Sequence, residues 1–296
     1  MKALVETDLE GADWVVTAYC CQDPAMLQVV EEGLKPHVRT GSLISGAPED
    51  FVEMEHKLVG DRTDPVEIAH ARKGLPDNWH GIGVHKFFLP RSMSIRQAGK
   101  KSNHGLNYDM RYKRFALENE MAEADAKRIV DNYKNIAYPG LKRWYKLIEA
   151  ELRANRRRLT NCFGQTRAFM DRWGPDLLDA AYAFKPQSTV ANVTNRGLRT
   201  MYWSAYDRVH VAAQVHDYIL THHNFGSWDE LADQVVAVDN AMTCTLEYHE
   251  REFVLKRSIK LGVNWGKDCM IEVEKVRDLP VALRAAWEQS CAQEAR

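Results

Sequence analysis

Three short apolar runs, one near the start of the chain and two close together far along it, constrain the fold most. Leu4 to Thr7 reads as a strand ending on a carboxylate, Asp8, while Val211 to Val215 and Tyr218 to Leu220 read as two strands meeting around His216 and Asp217. Nearly everything between them reads as helix or connection. An isolated strand cannot bury its face, so these distant strands must share one sheet. The expected class is α+β.

The helical signals are spaced along the interior. Val15, Val16 and Tyr19, then Leu27, Val29 and Val30, suggest a helix over Asp13 to about Glu32. Pro90 precedes a candidate from Ser92 to Tyr108. Ala126, Ile129, Val130 and Tyr133 follow helical spacing, as do Leu141, Trp144, Tyr145, Ile148 and Leu152 after Pro139-Gly140. Ser227 with Glu230 predicts a capping box for a helix reaching about Glu250. The stretch from about Glu53 to Phe88 is polar and punctuated by Gly60, Pro65, Gly74 and Pro76, so it reads as an insertion or long connection outside the core. Met270 to Val273 is the last strand signal, with a charged tail beyond it.

Composition narrows the function classes. The 296 residues are 45% hydrophobic and 27% charged, with a formal net charge of −1, so global charge gives no case for nucleic-acid binding. Local patches must carry it: Arg96 with Lys100 and Lys101; Arg111, Lys113 and Arg114; and Arg153, Arg156, Arg157 and Arg158, a run that fits a solvated helix face equally well. No apolar run approaches the roughly 20 residues of a membrane span, and the N-terminus lacks a signal-peptide pattern, so a cytoplasmic location without membrane partners is expected. Of six cysteines, Cys20 and Cys21 are adjacent and the others isolated, which predicts reduced thiols without a zinc site or disulfide framework. His222-His223 reads as a polar loop, not a zinc pair.

Arg96, Lys100, His104 and Tyr108 recur every four residues. Each such step turns an α-helix about 40° past a full circle, so one face carries two cations and then two rings along about 18 Å. That length suits a nucleoside triphosphate, with phosphates on the cations and sugar and base on the rings. The same spacing also fits an amphipathic helix that is merely basic at one end. Asp8 and Asp217 are hard oxygen donors of the kind that hold two Mg²⁺ about 3.5–4 Å apart in phosphoryl transfer. Each alone is also an ordinary turn former or helix cap.

Taken in order, strand-Asp8, then Arg96-x3-Lys100-x7-Tyr108, then Val215-His216-Asp217 resembles the three motifs of the family A (DNA polymerase I type) DNA polymerases. Glu32-Gly-Leu-Lys-Pro-His37, Leu159 to Arg167, Gln187-Ser-Thr and Gly262-Val-Asn-Trp-Gly266 resemble further segments of that family. The resemblance covers residues 3 to about 275, and the long segment at Glu53–Pro90 resembles the insertions of bacteriophage members, which would place the protein in a host-cell cytoplasm.

The resemblance implies a palm with an antiparallel sheet and a largely helical fingers domain. It assigns 1–22 and 173–275 to the palm, 23–172 to the fingers with an insertion at about 53–90, and 276–296 to a C-terminal tail. It implies that Asp8, Asp217 and the Leu9 carbonyl hold two Mg²⁺, with Mn²⁺ as a substitute. Arg96, Lys100 and His37 would contact the triphosphate, with Lys100 protonating the pyrophosphate leaving group. Asp13, His104 and Tyr108 would meet the sugar and the templating side of the new pair. Gln187, His216 and Arg167 would contact DNA, the first two in the primer minor groove.

Four positions depart from the family pattern. Asp13 stands where a glutamate excludes ribonucleotides, His104 replaces Phe or Tyr, Asp109 replaces a glycine, and Tyr218 replaces an acidic residue. Family members place a thumb, the first part of the palm and usually an exonuclease domain ahead of the first motif, whereas Asp8 stands near the first residue. The expectation is a chain without thumb or exonuclease domains: the catalytic part of a split or truncated DNA polymerase that copies primer-template DNA from dNTPs with a second polypeptide. The competing expectation is a catalytically lapsed polymerase-like module that only binds primer-template DNA. A single-subunit RNA polymerase and a metal-dependent nuclease fit the motifs less well.

Overall fold

The computed structural model describes residues 1–75, 87–204, 209–266, 268–274 and 277–294. Part of the expected insertion, 76–86, lies outside the described residues. The chain divides into two compact units: a sheet unit of Met1–Ala12, Cys162–Gln165 and Gln187–Arg296, and a helical unit of Asp13–Asn161 and Thr166–Pro186.

The sheet unit is built on five strands. These are β1 (Lys2–Leu9), β4 (Val209–Val215), β5 (Tyr218–Asn224), β8 (Arg257–Gly262) and β9 (Ile271–Glu272), in the order β4-β5-β1-β8-β9 with every pair antiparallel. The short hairpins β2 (Arg158–Thr160) with β3 (Thr166–Ala168) and β6 (Thr245–Tyr248) with β7 (Arg251–Val254) stand apart from it. β1 lies in the middle, as the need to bury an isolated strand required. Its side chains alternate, so Ala3, Val5, Thr7 and Leu9 are buried on one face. Ala3 and Val5 join Leu261 of β8 in a core completed by Leu231 and Val235 of helix Trp228–Ala241 and by Leu283 and Ala286 of helix Leu279–Glu294. Glu6 lies on the other face, where it meets Lys260 across the ladder at 2.7 Å.

Three expectations change in this unit. The charged tail is the helix Leu279–Glu294, because Leu283 and Ala286 face the sheet while its charges point outward. The helix opened by Ser227, whose Oγ accepts from the Glu230 N–H at 3.2 Å, ends at Ala241. His222 and His223 belong to β5, where adjacent side chains point to opposite faces and cannot chelate one ion together.

In the helical unit, Gln22 adopts φ +48 and Asp23 caps a new helix, so the single helix expected over Asp13–Glu32 is two, Ala12–Cys21 and Pro24–Glu31. The Asp23 carboxylate also accepts from the Gly140 N–H at 2.6 Å, fixing the start of helix Gly140–Ala154. Helix Pro36–Ser45 lies directly on helix Ile95–Asn107 through Gly41 and Gly99. A Cβ at Gly99 would fall 2.2 Å from the His37 carbonyl oxygen, so only hydrogen fits there.

The stretch expected as a connection outside the core is structured in its described part. Helix Glu49–Val59 buries Phe51, Val52, Glu55 and Val59, and helix Pro65–Arg72 buries Ile68. Within the stretch, Leu75 is buried in a core with Val38 and Ile95, and Met54 and Leu58 pack against it. The carboxylate of Glu55 is fully buried and paired with Arg72 at 2.7 Å, and it accepts from the Ile95 N–H at 3.0 Å. Charged residues misled the reading because two of them are buried as a pair.

Candidate functional site

Backbone register makes the main chains of Asp8 and Asp217 neighbours. Asp8 pairs with Tyr218 across β1 and β5, and the Leu9 N–H donates to the Asp217 carbonyl at 3.2 Å. Asp8 lies at the end of β1 and Asp217 in the two-residue turn between β4 and β5, one residue from Asp8's ladder partner, and both are half-buried. His216, the first residue of that turn and exposed, has φ +52, a left-handed backbone that costs a residue other than glycine of order 1 kcal/mol.

Tyr218 feels both carboxylates. Burial raises the Tyr218 phenol, and Glu6, Asp8 and Asp217 push it the same way against Lys260. Burial works against the charge on Lys260, yet Glu6, with Asp8 and Glu272, holds its ammonium above the ordinary lysine value. Two carboxylates and a main-chain carbonyl at Leu9 are hard oxygen donors, which fits Mg²⁺. Among the described residues no group of three or more His, Cys, Asp or Glu side chains forms a preassembled cage, and Mg²⁺, which retains several waters, does not require one.

In the helical unit, Ser94 caps helix Ile95–Asn107 by accepting from the Gln97 N–H at 3.3 Å. Arg96 is half-buried and Lys100 exposed one turn further on. Tyr108 is the C-cap, its ring edge-on to His104 with centroids 5.7 Å apart, so the predicted face persists to the helix end.

His37 reaches the same helix through a residue the sequence reading missed. Asn103 accepts from the hydroxyls of Thr40 at 2.7 Å and Tyr133 at 2.9 Å. Its Nδ2 donates to the Pro36 carbonyl at 3.2 Å and to His37 Nδ1 at 3.1 Å. His37 Nδ1 is therefore an acceptor, and its ring proton sits on Nε2. Burial first, then Arg96 and Lys100, lower His37 to about 4, so it is a neutral donor near neutral pH. A polar Asn at a buried helical position was the signal available for it.

The departures from the family pattern have local geometry. Asp13 Oδ2 lies 3.3 Å from His104 Nδ1, and this contact raises the His104 pKa against burial and Lys100, with Glu118 helping. Burial pushes the Tyr108 phenol well up, and Asp13 adds to the rise although it lies outside hydrogen-bond geometry with that hydroxyl. Asp109 has φ +67, the conformation that favours glycine, and is held by Lys134 at 2.6 Å.

The remaining DNA-contact candidates are exposed. Arg167 is on β3, its guanidinium 4.8 Å from the centre of the Phe169 ring, in the helical unit. Gln187 is on helix Pro175–Ser204 immediately after Pro186, in the sheet unit.

An antiparallel sheet in one unit and a largely helical second unit make an α+β fold. Among solved structures the chain is similar to the POL domain of Pol1 from M. smegmatis in complex with DNA primer-template and dNTP, with a TM-score of 0.64 and 16% identity. The match covers 89% of this chain and 40% of that one, so the chain spans less than half of the solved polymerase. At that identity the likeness is one of fold. No family model and no curated protein matches the sequence. No helix among the described residues is long and apolar enough to cross a membrane.

Proposed function

We propose that this chain performs template-directed DNA synthesis, transferring a nucleotide from a dNTP to a primer 3′-hydroxyl, as the catalytic part of a family A DNA polymerase. The observation that carries the reading is the register that sets Asp8 beside Asp217. The fold likeness to a polymerase solved with primer-template and dNTP supports it.

Asp8, Asp217 and the Leu9 carbonyl would hold two divalent ions, Mg²⁺ with Mn²⁺ as a substitute. When bound, such ions neutralise phosphate charge and lower the pKa of the attacking hydroxyl. Arg96, Lys100 and the Nε2–H of His37 bind the triphosphate oxygens. Lys100 delivers a proton to the pyrophosphate leaving group. His104 and Tyr108 flank the sugar and base, and Asp13 faces the sugar. Gln187, His216 and Arg167 contact the DNA. The proposal includes further polypeptide, in the same chain or a second one, corresponding to the part of the solved polymerase outside the match.

The test is single-nucleotide primer extension with Mg²⁺ by the protein together with whatever copurifies, comparing wild type with Asp8→Ala and Asp217→Ala. Incorporation by wild type, lost in both variants with primer-template binding retained, is the expected result. DNA binding without incorporation by the assembled wild type overturns catalysis in favour of a lapsed binding module, a reading motivated by Tyr218 beside the two carboxylates.

A further inference from the structure

Arg96 is held by a side chain that no motif includes. Its Nη1 lies 3.2 Å from Nε2 of His56, and the Nδ1 of the same ring lies 2.9 Å from Oγ of Ser94, the cap of the helix that carries Arg96. A guanidinium only donates, so Nε2 must present a lone pair. The proton of a neutral ring then resides on Nδ1 and is donated to Ser94. His56 itself is half-buried on a helix whose core contacts come from Phe51, Val52 and Val59, so apolar packing does not explain it.

We propose that His56 is a positioning residue: its neutral imidazole, anchored on Ser94, fixes the Arg96 guanidinium for a nucleotide triphosphate and releases it on protonation. The inference rests on the nucleotide-binding reading above. An arginine already held in one orientation loses less rotamer freedom when it engages phosphate, which is why the relay favours binding. Among the described residues, the charged groups that act on His56 are Arg96 from the neighbouring helix and Asp61 from the turn after its own helix. Asp61 also accepts from the Gln97 side chain. Burial and Arg96 together hold His56 below the ordinary imidazole value, with Asp61 opposing. Protonation, which takes place below the ordinary imidazole value, therefore turns the acceptor into a donor beside a guanidinium, and the contact is lost.

Two measurements test this. The first is the ¹⁵N imidazole spectrum of the labelled protein at about pH 7.5, with the His56 signals assigned by their loss in His56→Gln. The Nδ1–H tautomer is expected; an Nε2–H tautomer or a charged ring overturns the proposal whatever the protein binds. The second is calorimetric binding of inorganic tripolyphosphate. His56→Ala should bind about tenfold more weakly, and His56→Gln, whose amide oxygen can accept from Arg96, should stay within about threefold of wild type. Wild-type affinity should fall more steeply than that of His56→Gln as pH is lowered through and below the ordinary imidazole range. Equal binding by wild type and His56→Ala overturns the role of His56 alone. Failure of wild type to bind tripolyphosphate overturns the nucleotide reading and this inference with it.

Discussion

The sheet unit and the helical unit fix their polar groups by different means. In the sheet, main-chain ladders do it: Asp8 and Asp217 are neighbours because β1 and β5 pair residue by residue, whatever their side chains are. In the helices, side chains do it: Asn103 orients His37, His56 contacts Arg96, and Glu55 with Arg72 ties the start of the cationic helix to the core. Replacing such a carboxylate therefore leaves the main-chain ladder that positions it in place. Removing one member of a side-chain relay strands its partners.

Four experiments break or sharpen that contrast. The largest effect belongs to Asp217→Asn, which should lower primer extension at least about a thousandfold while leaving the thermal midpoint nearly unchanged. A large loss of stability would mean that the carboxylate, not the backbone, builds the turn. Next is Arg72→Met, which leaves the fully buried Glu55 carboxylate without its cation and should cost about 3–5 kcal/mol in urea unfolding.

Acid provides the third. His223 is fully buried, with Nε2 2.8 Å from Thr221 Oγ1 and Nδ1 2.9 Å from Gln234 Oε1, and burial lowers it to about 4. The unfolded chain binds this proton more readily than the folded one. The contribution is therefore whole above pH 6.5 and drains as pH falls towards about 4, a loss on the order of 3 kcal/mol. His37 contributes in the same direction. The slope of unfolding free energy against pH should flatten in His223→Gln; an unchanged slope would assign the acid sensitivity to the helical unit. Smallest is Gly99→Ala, about 2 kcal/mol by chemical denaturation, because the helices must separate to admit one methyl group.

This contrast also explains what the sequence revealed. Alternation made β1 and the β4–β5 hairpin legible, and with them the α+β class and the meeting of Asp8 with Asp217. Four-residue spacing made the cationic helix legible to within a turn. β8 was missed although it pairs with β1, because Arg257 to Gly262 holds only two large apolar residues, Ile259 and Leu261, among polar ones. Val59 and Ile68 were hidden by the charges around them, one of which, Glu55, is itself buried. Asn103 and His56 were invisible for another reason: their partners His37 and Arg96 lie 66 and 40 residues away, and no local pattern encodes such a meeting.

Two rods that touch spine to spine behave as one bar. Where Gly41 and Gly99 meet, no side chain is left to act as a bearing, so neither helix can roll or slide over the other without a collision of main chains. The imidazole of His37 and the cations of Arg96 and Lys100 must then travel together, and any hinge serving them has to lie beyond the crossing.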